Sequence, residues 1–136
     1  MINQVSFQLP ALERGYHIIT EEVLKHCGQL PEQGLFHLFI KHTSAAITIN
    51  EAADPDVLVD FESIFNHVVP EGLPFLKHTI EGLDDMPAHI KAAMIGNSVT
   101  IPISNSRLNL GTWQGLYLCE FRNRASSRKL VATIYS

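Results

Sequence analysis

Segments typical of β-strands dominate this chain, and several follow one another with only short loops between them. Residues Val5 to Leu9 alternate between apolar and polar, as in a half-buried strand. Further strand signals occur at Gly15 to Ile19, in two strands within Leu35 to Ile49, and at Ser98 to Ile103, Gly115 to Phe121 and Lys129 to Tyr135. Because strands that are adjacent in sequence and joined by short loops favour antiparallel pairing, the sequence predicts a mainly antiparallel sheet.

Three other segments have helical signals. A capping threonine and a terminal glycine bound Thr20 to Gly28. The clearest helix has Asp54 as its N-cap, Pro55 in its first position and apolar residues at helical spacing up to Val68. A shorter one is predicted from Met86 to Ile95. The predicted fold class is therefore α+β, with a mainly antiparallel, sandwich-like β-sheet covered by two or three helices.

Size and charge limit the possible functions. A chain of 136 residues, 46% of them apolar, is typical of one globular domain, which we expect to span residues 1–136. The net charge is −4, and the densest basic stretch, Arg122 to Lys129, is interrupted by neutral residues. Nucleic-acid binding, which needs a basic face, is therefore not expected. A small phosphate could still meet this local basic patch.

The sequence also predicts a location in the cytoplasm. The N-terminal residues have no basic region followed by a long apolar run, as a secretory leader would. No stretch approaches the roughly 18 apolar residues that a membrane span requires. Cys27 and Cys119 form no CxxC motif, and both are expected to be free thiols in a reducing compartment. We therefore predict no membrane partner.

The first polar cluster with possible chemistry lies between two predicted strands. His42, Thr43 and Ser44 combine a titratable imidazole with two hydroxyl groups, and Asn50 and Glu51 follow after the next strand. Such residues can form a binding or catalytic site at a strand end. They can equally form a turn whose hydroxyl groups satisfy the local backbone. The residues alone leave both interpretations open.

The second cluster combines histidines and carboxylates. Asp85 and His89 are four residues apart, which places them on one face of a helix that begins by Asp85, and His78, Glu81 and Asp84 lie nearby. Such a pair can orient an imidazole as a general base or help to hold a divalent ion. In the alternative interpretation, Asp85 is only an N-cap and His89 a surface residue. No recognised zinc-binding spacing decides between them.

The third cluster is a loop that leads into a strand. Gly111, Thr112, Trp113, Gln114 and Gly115 could allow close approach of the backbone to a ligand, with free amides as an anion nest and an indole for stacking. Tryptophan is more often used in packing, so this signal is weak by itself.

The fourth cluster is formed by Glu120 and Arg122, near the end of the next-to-last strand. They share strand parity with Leu116 and Leu118, so this face changes from apolar to charged. Either the strand end reaches solvent or the charged pair lines a cleft. The first arrangement is the commoner one.

Three stretches contain these clusters in the order HTSAAITINEAADPDVLVDFE, DDMPAHIKAAMIGNSVTIPI and RLNLGTWQGLYLCEFR. Together they resemble the YjbQ family of small bacterial and archaeal proteins, over nearly the whole chain from Val5 to Ile134. The resemblance implies a compact β-rich α+β fold, a homotrimer, and a cleft of polar motif residues near subunit contacts. It also implies a weak thiamine-phosphate synthase activity, secondary to an unknown main role.

The motif positions that match the family are His42, Thr43, Ser44, Asn50, Glu51, His89 and Gly111 to Gln114, and the clusters above add His78, Asp85 and Arg122 as candidates. The catalytic candidates are His42, Glu51, Asp85 and His89; the substrate-binding candidates are Thr43, Ser44, Asn50, Gly111, Thr112, Trp113, Gln114 and Arg122; the metal-ligand candidates are His42, His78 and His89. A divalent metal, Mg or Zn, and a phosphorylated small-molecule ligand are expected. In one departure, Pro87 stands before Ala88 where many members have an acidic residue, so either Asp84 or Asp85 is left as the carboxylate partner of His89.

These assignments lead to one functional hypothesis and one alternative. The hypothesis is a transferase that acts on phosphorylated substrates and releases pyrophosphate. In it, Asp85 favours the protonated form of His89, which holds a phosphate near the Gly111–Gly115 loop, while His42 is a neutral proton acceptor or a metal ligand. The alternative is a non-catalytic module that binds a metal or a phosphorylated ligand.

Overall fold

The protein forms eight strands and three helices, and the computed structural model describes all residues from 1 to 136. In chain order these elements are β1 (Ile2–Gln8), β2 (Gly15–Ile18), α1 (Thr20–Lys25), β3 (Gln33–Ile40), β4 (Ala45–Glu51), α2 (Pro55–Val68), α3 (Asp85–Ile95), β5 (Ser98–Ser104), β6 (Arg107–Leu108), β7 (Gln114–Glu120) and β8 (Lys129–Tyr135). None of the helices combines the length and the apolar character that a membrane span requires.

The strands form two antiparallel sheets. The five-stranded sheet has the order β1-β8-β3-β5-β6, and the three-stranded sheet has the order β2-β7-β4. Every neighbouring pair in both sheets is antiparallel. The predicted fold class, α+β with mainly antiparallel sheet and three helices, is confirmed.

The main hydrophobic core lies between the two sheets. It contains 17 buried residues, among them Phe36 and Leu130 from the five-stranded sheet and Ile47 and Leu118 from the three-stranded sheet. Alternation along each strand sends these side chains to the inner face of their sheet. The two sheets therefore pack face to face, as a sandwich does.

A smaller core covers the outer face of the three-stranded sheet. It joins Tyr16, Tyr117 and Cys119 from the strands to Ala88 and Ala92 from α3, and the phenylalanines of α2 pack against it. Helix α3 contacts β4, and α2 contacts β2. This arrangement places the first turn of α3 beside the Ala45 and Glu120 ends of β4 and β7, which are paired residues.

The helix boundaries follow the predictions closely, with one instructive exception. The Asp54 side chain accepts a hydrogen bond from the Asp56 amide at 2.9 Å, as expected of the N-cap of α2. Thr20, the predicted cap of α1, caps nothing; its hydroxyl oxygen accepts a hydrogen bond from the Leu116 amide of β7 at 2.9 Å. A tertiary partner has replaced the local one. Helix α3 begins at Asp85, one residue before the predicted start.

Candidate metal centre

Two imidazoles and one carboxylate converge at the start of α3. Because the helix begins at Asp85, His89 lies one turn later on the same face, and the loop before the helix supplies His78. One oxygen of Asp85, Oδ2, lies 2.6 Å from Nε2 of His78 and 3.1 Å from Nε2 of His89. The ligating atoms of the three residues all lie within 4.8 Å of one another. This donor set can hold a divalent ion.

The second ring nitrogen of His89 fixes the orientation of the imidazole. His89 Nδ1 lies 2.9 Å from the backbone carbonyl oxygen of Thr43. A carbonyl only accepts, so Nδ1 carries a hydrogen and donates it. Nε2 is then directed towards Asp85 and His78. Histidines that bind metals usually have this arrangement, with one nitrogen facing the ion and the other N–H held by an oxygen of the protein.

Asp85 is buried and held on its other side by Arg122. Its relative exposure is 1%, and Oδ1 accepts a hydrogen bond from the Arg122 guanidinium at 2.5 Å. Burial by itself raises the pKa of Asp85, but the hydrogen bond with His78 and the charges of His89 and Arg122 outweigh it, and the net pKa is lowered. The carboxylate is therefore ionised, as a metal ligand must be. Asp85, rather than Asp84, is the carboxylate partner of His89.

Arg122 has a supporting place in this centre. Its guanidinium donates to Asp84 Oδ2 at 2.9 Å and to the backbone oxygen of Glu81 at 2.9 Å, in addition to Asp85. The hydrogen bond to Asp84 is the main reason that the pKa of Arg122 is raised. The sequence-based assignment made Arg122 a substrate-binding residue. In the structure, three of its N–H groups instead donate to Asp84, Asp85 and the Glu81 carbonyl, which lie at or beside the candidate metal group of His78, Asp85 and His89.

His42 lies near the metal group but is not part of it. Its Nε2 accepts a hydrogen bond from the Lys129 amide at 2.7 Å. Partial burial and the charge of Arg128 lower the pKa of His42, which favours the neutral ring. The predicted metal ligands were His42, His78 and His89. In the structure, the residue that lies together with His78 and His89 is Asp85, not His42.

A cavity of about 270 Å³ separates the two histidines of this region. Besides His42 and His89, its walls are formed mainly by small residues, namely Thr43, Ala45, Ala92, Ala93 and Asn97. The small side chains are the reason that space remains here. His89, which donates a hydrogen bond through Nδ1, and His42, which accepts one at Nε2, therefore line the same cavity.

A buried ion pair lies next to the cavity, because Glu120 of β7 pairs with the cavity residue Ala45 of β4. Arg128 and Glu120 form a two-pronged contact, with Nε of Arg128 at 2.7 Å from Oε1 of Glu120. Arg128 also donates to the backbone oxygen of Ser44 at 3.3 Å. Ser44, a predicted substrate-binding residue, is itself buried. Arg128 belongs to the basic stretch that was expected to meet a small phosphate, but its guanidinium is buried against Glu120. Glu120 is also buried, so its end of the strand does not reach solvent, and its parity with Leu116 and Leu118 was the signal that this carboxylate points inward.

The remaining predicted site residues lie at the opposite end of the three-stranded sheet. Ala45 pairs with Glu120, whereas Glu51 pairs with Gln114, six residues further along β4. Six residues of strand span about 20 Å. The loop of Gly111, Thr112, Trp113 and Gln114, with Asn50 and Glu51, is therefore remote from the metal group within one chain. The expectation that His89 lies near this loop is wrong for a single chain.

Local contacts organise this second end. The Gly111 amide donates to the side-chain oxygen of Gln114 at 2.8 Å, and the Asn50 side chain accepts from the Glu51 amide at 2.8 Å. The indole of Trp113 is exposed, at 64% of its surface. Gly115 is needed for packing, because a Cβ atom there would lie 2.7 Å from the Ala52 side chain.

Comparison with known proteins places this chain in a family. The family model described as "UPF0047 protein YjbQ-like" matches residues 5–136. The chain belongs to the YjbQ family. It is 42% identical over 133 residues to the YjbQ protein of Escherichia coli O157:H7 and 44% identical over 133 residues to that of Salmonella typhimurium; in both cases 96% of each chain is covered.

Solved structures show the same fold. A YjbQ-family protein from Clostridium acetobutylicum has a TM-score of 0.80 with 36% identity, covering 96% of this chain and 98% of its own. A conserved hypothetical protein from Thermus thermophilus has a TM-score of 0.81 with 32% identity, covering 93% of this chain and 97% of its own. The YjbQ match includes every residue of the metal group and of the cavity.

Proposed function

We propose that this YjbQ-family protein is a divalent-metal-dependent enzyme that acts on a phosphorylated small molecule. The observation that carries the proposal is the convergence of His78, Asp85 and His89 beside a cavity of about 270 Å³. Buried charged groups with specific partners, next to a cleft, are typical of functional sites. The contacts of His89 with the Thr43 carbonyl and of Asp85 with Arg122 hold the group in one geometry before any ligand binds, which supports the proposal.

The donor set favours a transition metal over magnesium. Magnesium prefers six oxygen ligands, whereas two imidazoles and a carboxylate suit zinc and similar ions. His78, Asp85 and His89 would hold the ion, and Arg122 would keep the Asp85 carboxylate in place. A bound ion supplies Lewis-acid stabilisation of phosphate oxygens. His42 and Thr43, on the wall of the same cavity, would contact the ligand as well.

Formation of thiamine phosphate is the finer form of this proposal. In that reaction, the thiazole nitrogen of one substrate forms a bond to the pyrimidine methylene carbon of the other. The carbon–oxygen bond to pyrophosphate breaks, and pyrophosphate leaves with the electron pair. The chemistry needs stabilisation of the leaving phosphates and no covalent nucleophile. Because this antiparallel fold is unrelated to the (β/α)₈ barrels of the dedicated synthases, the activity would be convergent, and we expect it to be weak.

The experiment uses untagged protein, both thiamine precursors, and either zinc or magnesium. We expect product with zinc, and none above background for His89→Ala. A matched control is His67→Ala, because His67 is an exposed residue of α2 outside the metal group. Equal product from wild type and His89→Ala would refute a catalytic role for this centre.

A non-catalytic module that binds a metal or a phosphorylated ligand is the second candidate. It is favoured by one observation: Glu51, the other predicted catalytic carboxylate, lies at the far end of β4. Metal analysis separates the two candidates. Stoichiometric zinc that is lost in His89→Ala, with no turnover of either precursor, would support the binding module.

The homotrimer remains a prediction from the family resemblance. A second subunit is one way in which the residues at the two ends of the sheet could meet. Light scattering at micromolar concentration tests it, and the mass of a single 15.2 kDa chain would refute it.

A further inference from the structure

We propose that His42 binds an oxyanion of the ligand through its Nδ1–H, which makes it a hydrogen-bond donor rather than a base or a metal ligand. The inference rests on the proposed function only in assuming that the ligand carries a phosphate. It assigns a phosphate subsite to the cavity between His42 and His89.

The Lys129 amide fixes the tautomer of His42. Its N–H donates to Nε2 of His42 at 2.7 Å, so this nitrogen uses its lone pair and carries no hydrogen. A neutral imidazole then has its hydrogen on Nδ1. The donor is itself fixed, because Lys129 begins β8 and its carbonyl accepts from the Lys41 amide at 3.0 Å. Proton uptake or metal binding at Nε2 would break this contact.

The second ring nitrogen is left for a ligand. His42 Nδ1 has no hydrogen-bond partner in the structure, and the ring lines the cavity shared with Thr43 and His89. A ligand acceptor in that cavity can therefore receive the Nδ1–H. Donors with fixed direction are well suited to recognising phosphate oxygens.

The charges around His42 favour an anion. Four charged groups act on this imidazole: Arg128, Glu120, Lys129 and Lys41. Glu120 and Arg128 pair with each other, so their charges largely compensate. Lys41 and Lys129 are exposed, and neither has a carboxylate within 4.0 Å. The remaining local charge is positive, which attracts a phosphate and also keeps the ring neutral.

Two substitutions test the roles of Nε2, which accepts from Lys129, and Nδ1, which donates to the ligand, one at a time. In His42→Gln, the amide oxygen can accept from Lys129 as Nε2 does, but no donor remains at the Nδ1 position. In His42→Asn, the shorter amide can place its NH₂ at the Nδ1 position but does not reach Lys129. Binding of inorganic phosphate is measured by calorimetry for both variants and wild type, with and without zinc. Nitrogen NMR of the histidine rings reports the tautomer.

We expect the Nδ1–H tautomer for His42, with its signal shifted by phosphate but not by acetate. His42→Gln should bind phosphate at least about tenfold more weakly, as for the loss of one hydrogen bond to a charged group, with an unchanged zinc content. His42→Asn should stay within about threefold of wild type while its Tm falls by about 3–5 °C, as for one lost hydrogen bond.

Three results would overturn the inference: no phosphate binding by wild type in either metal state, wild-type affinity in His42→Gln, or a hydrogen on Nε2. These results are separable from failure of the proposed function. If zinc does not bind but phosphate binding still depends on His42, the metal-dependent enzyme is refuted and the subsite stands. If zinc binds and product forms while His42→Gln retains full phosphate affinity, the subsite is refuted and the metal-dependent enzyme stands.

Discussion

The two ends of the three-stranded sheet contain polar residues of very different character. At the end that contains the candidate metal group (the metal-centre end), where Ala45 pairs with Glu120, Asp85, Glu120 and Arg128 are all buried. At the glycine-loop end, where Glu51 pairs with Gln114, the indole of Trp113 is 64% exposed, and the side chains of Asn50 and Gln114 bond to neighbours in sequence. One end has its charges fixed by tertiary partners, and the other has an open surface.

This difference favours the metal-centre end as the place of the proposed function within one chain. Burying a charge is unfavourable unless a partner compensates it, and even a paired charge adds little stability compared with apolar packing. The buried charges at the metal-centre end are therefore poorly explained by stability alone. The exposed polar residues of the glycine loop need no such explanation, because water and local hydrogen bonds satisfy them. Substitutions at matched positions of the two ends test this contrast.

The largest expected effect comes from the buried ion pair. Glu120→Gln leaves Arg128 as a buried charge without a counter-charge, which should reduce the free energy of unfolding by about 3 kcal/mol. The control is Gln114→Ala at the other end of the same strand, where an exposed hydrogen bond to Gly111 is lost. It should reduce the unfolding free energy by at most about 1 kcal/mol. Urea denaturation of both variants measures the difference.

Equal losses in these two variants would contradict the contrast between the ends. A double variant, Glu120→Leu with Arg128→Met, sharpens the test. Because apolar residues of similar volume can replace a buried ion pair, it should recover most of the lost stability. The Ser44 carbonyl would lose its partner, so we expect the cavity to bind phosphate less well even where stability returns.

The second prediction concerns metal affinity. Asp85→Asn should weaken zinc binding at least about 100-fold, because an amide lacks the charge of the ligand it replaces. Asp84→Asn is the matched control, since Asp84 contacts Arg122 and the Asn123 amide but is not in the metal group. It should weaken binding by only about tenfold, as a supporting residue does. Competition with a chromogenic chelator measures both. Equal effects would mean that Asp85 is not a ligand.

Much of the fold was predictable because its signals are local. The Asp54 cap and the apolar spacing of α2 need only neighbouring residues, and the strand alternation also extends over a few positions. Strand β6 was missed because it has only two residues, Arg107–Leu108, after a turn in which Asn105 and Ser106 have positive φ angles. Thr20 was misassigned because its partner, the Leu116 amide, is distant in sequence.

The candidate site was predictable only in part for the same reason. The spacing of Asp85 and His89 is a local helical signal, and it correctly paired these residues. The contact of Arg128 with Glu120 depends on how β7 turns into β8, and the anchoring of His42 by Lys129 depends on the pairing of distant chain segments. The sequence does not show how far the glycine loop lies from His78, Asp85 and His89. That distance follows only from the register between β4 and β7.

The third prediction tests the packing role of a glycine at the loop end. A Cβ atom at Gly115 would lie 2.7 Å from Ala52 Cβ and 3.3 Å from the Thr20 hydroxyl. Gly115→Ala should therefore reduce the unfolding free energy by about 1–2 kcal/mol through overpacking. At Gly111 the nearest atom, 3.3 Å away, is the end of the flexible Gln114 side chain, so Gly111→Ala should have a smaller effect. Thermal unfolding compares them, and the opposite order would contradict the packing role.

The smallest expected effect is the pH dependence that His42 gives to the metal-centre end. Its pKa lies below the ordinary value of 6.5, so the neutral form is favoured in the folded state. The stability it contributes is complete above about pH 6.5 and is lost as the pH falls through the lowered pKa. Wild type should therefore lose more stability than His42→Gln between about pH 7 and pH 5, because glutamine does not titrate. All other titratable groups are the same in the two proteins, so they do not contribute to the difference. The measurement is the urea denaturation midpoint of both proteins as a function of pH. If the midpoint changes equally with pH in wild type and in His42→Gln, Lys129 does not hold His42 in its neutral form.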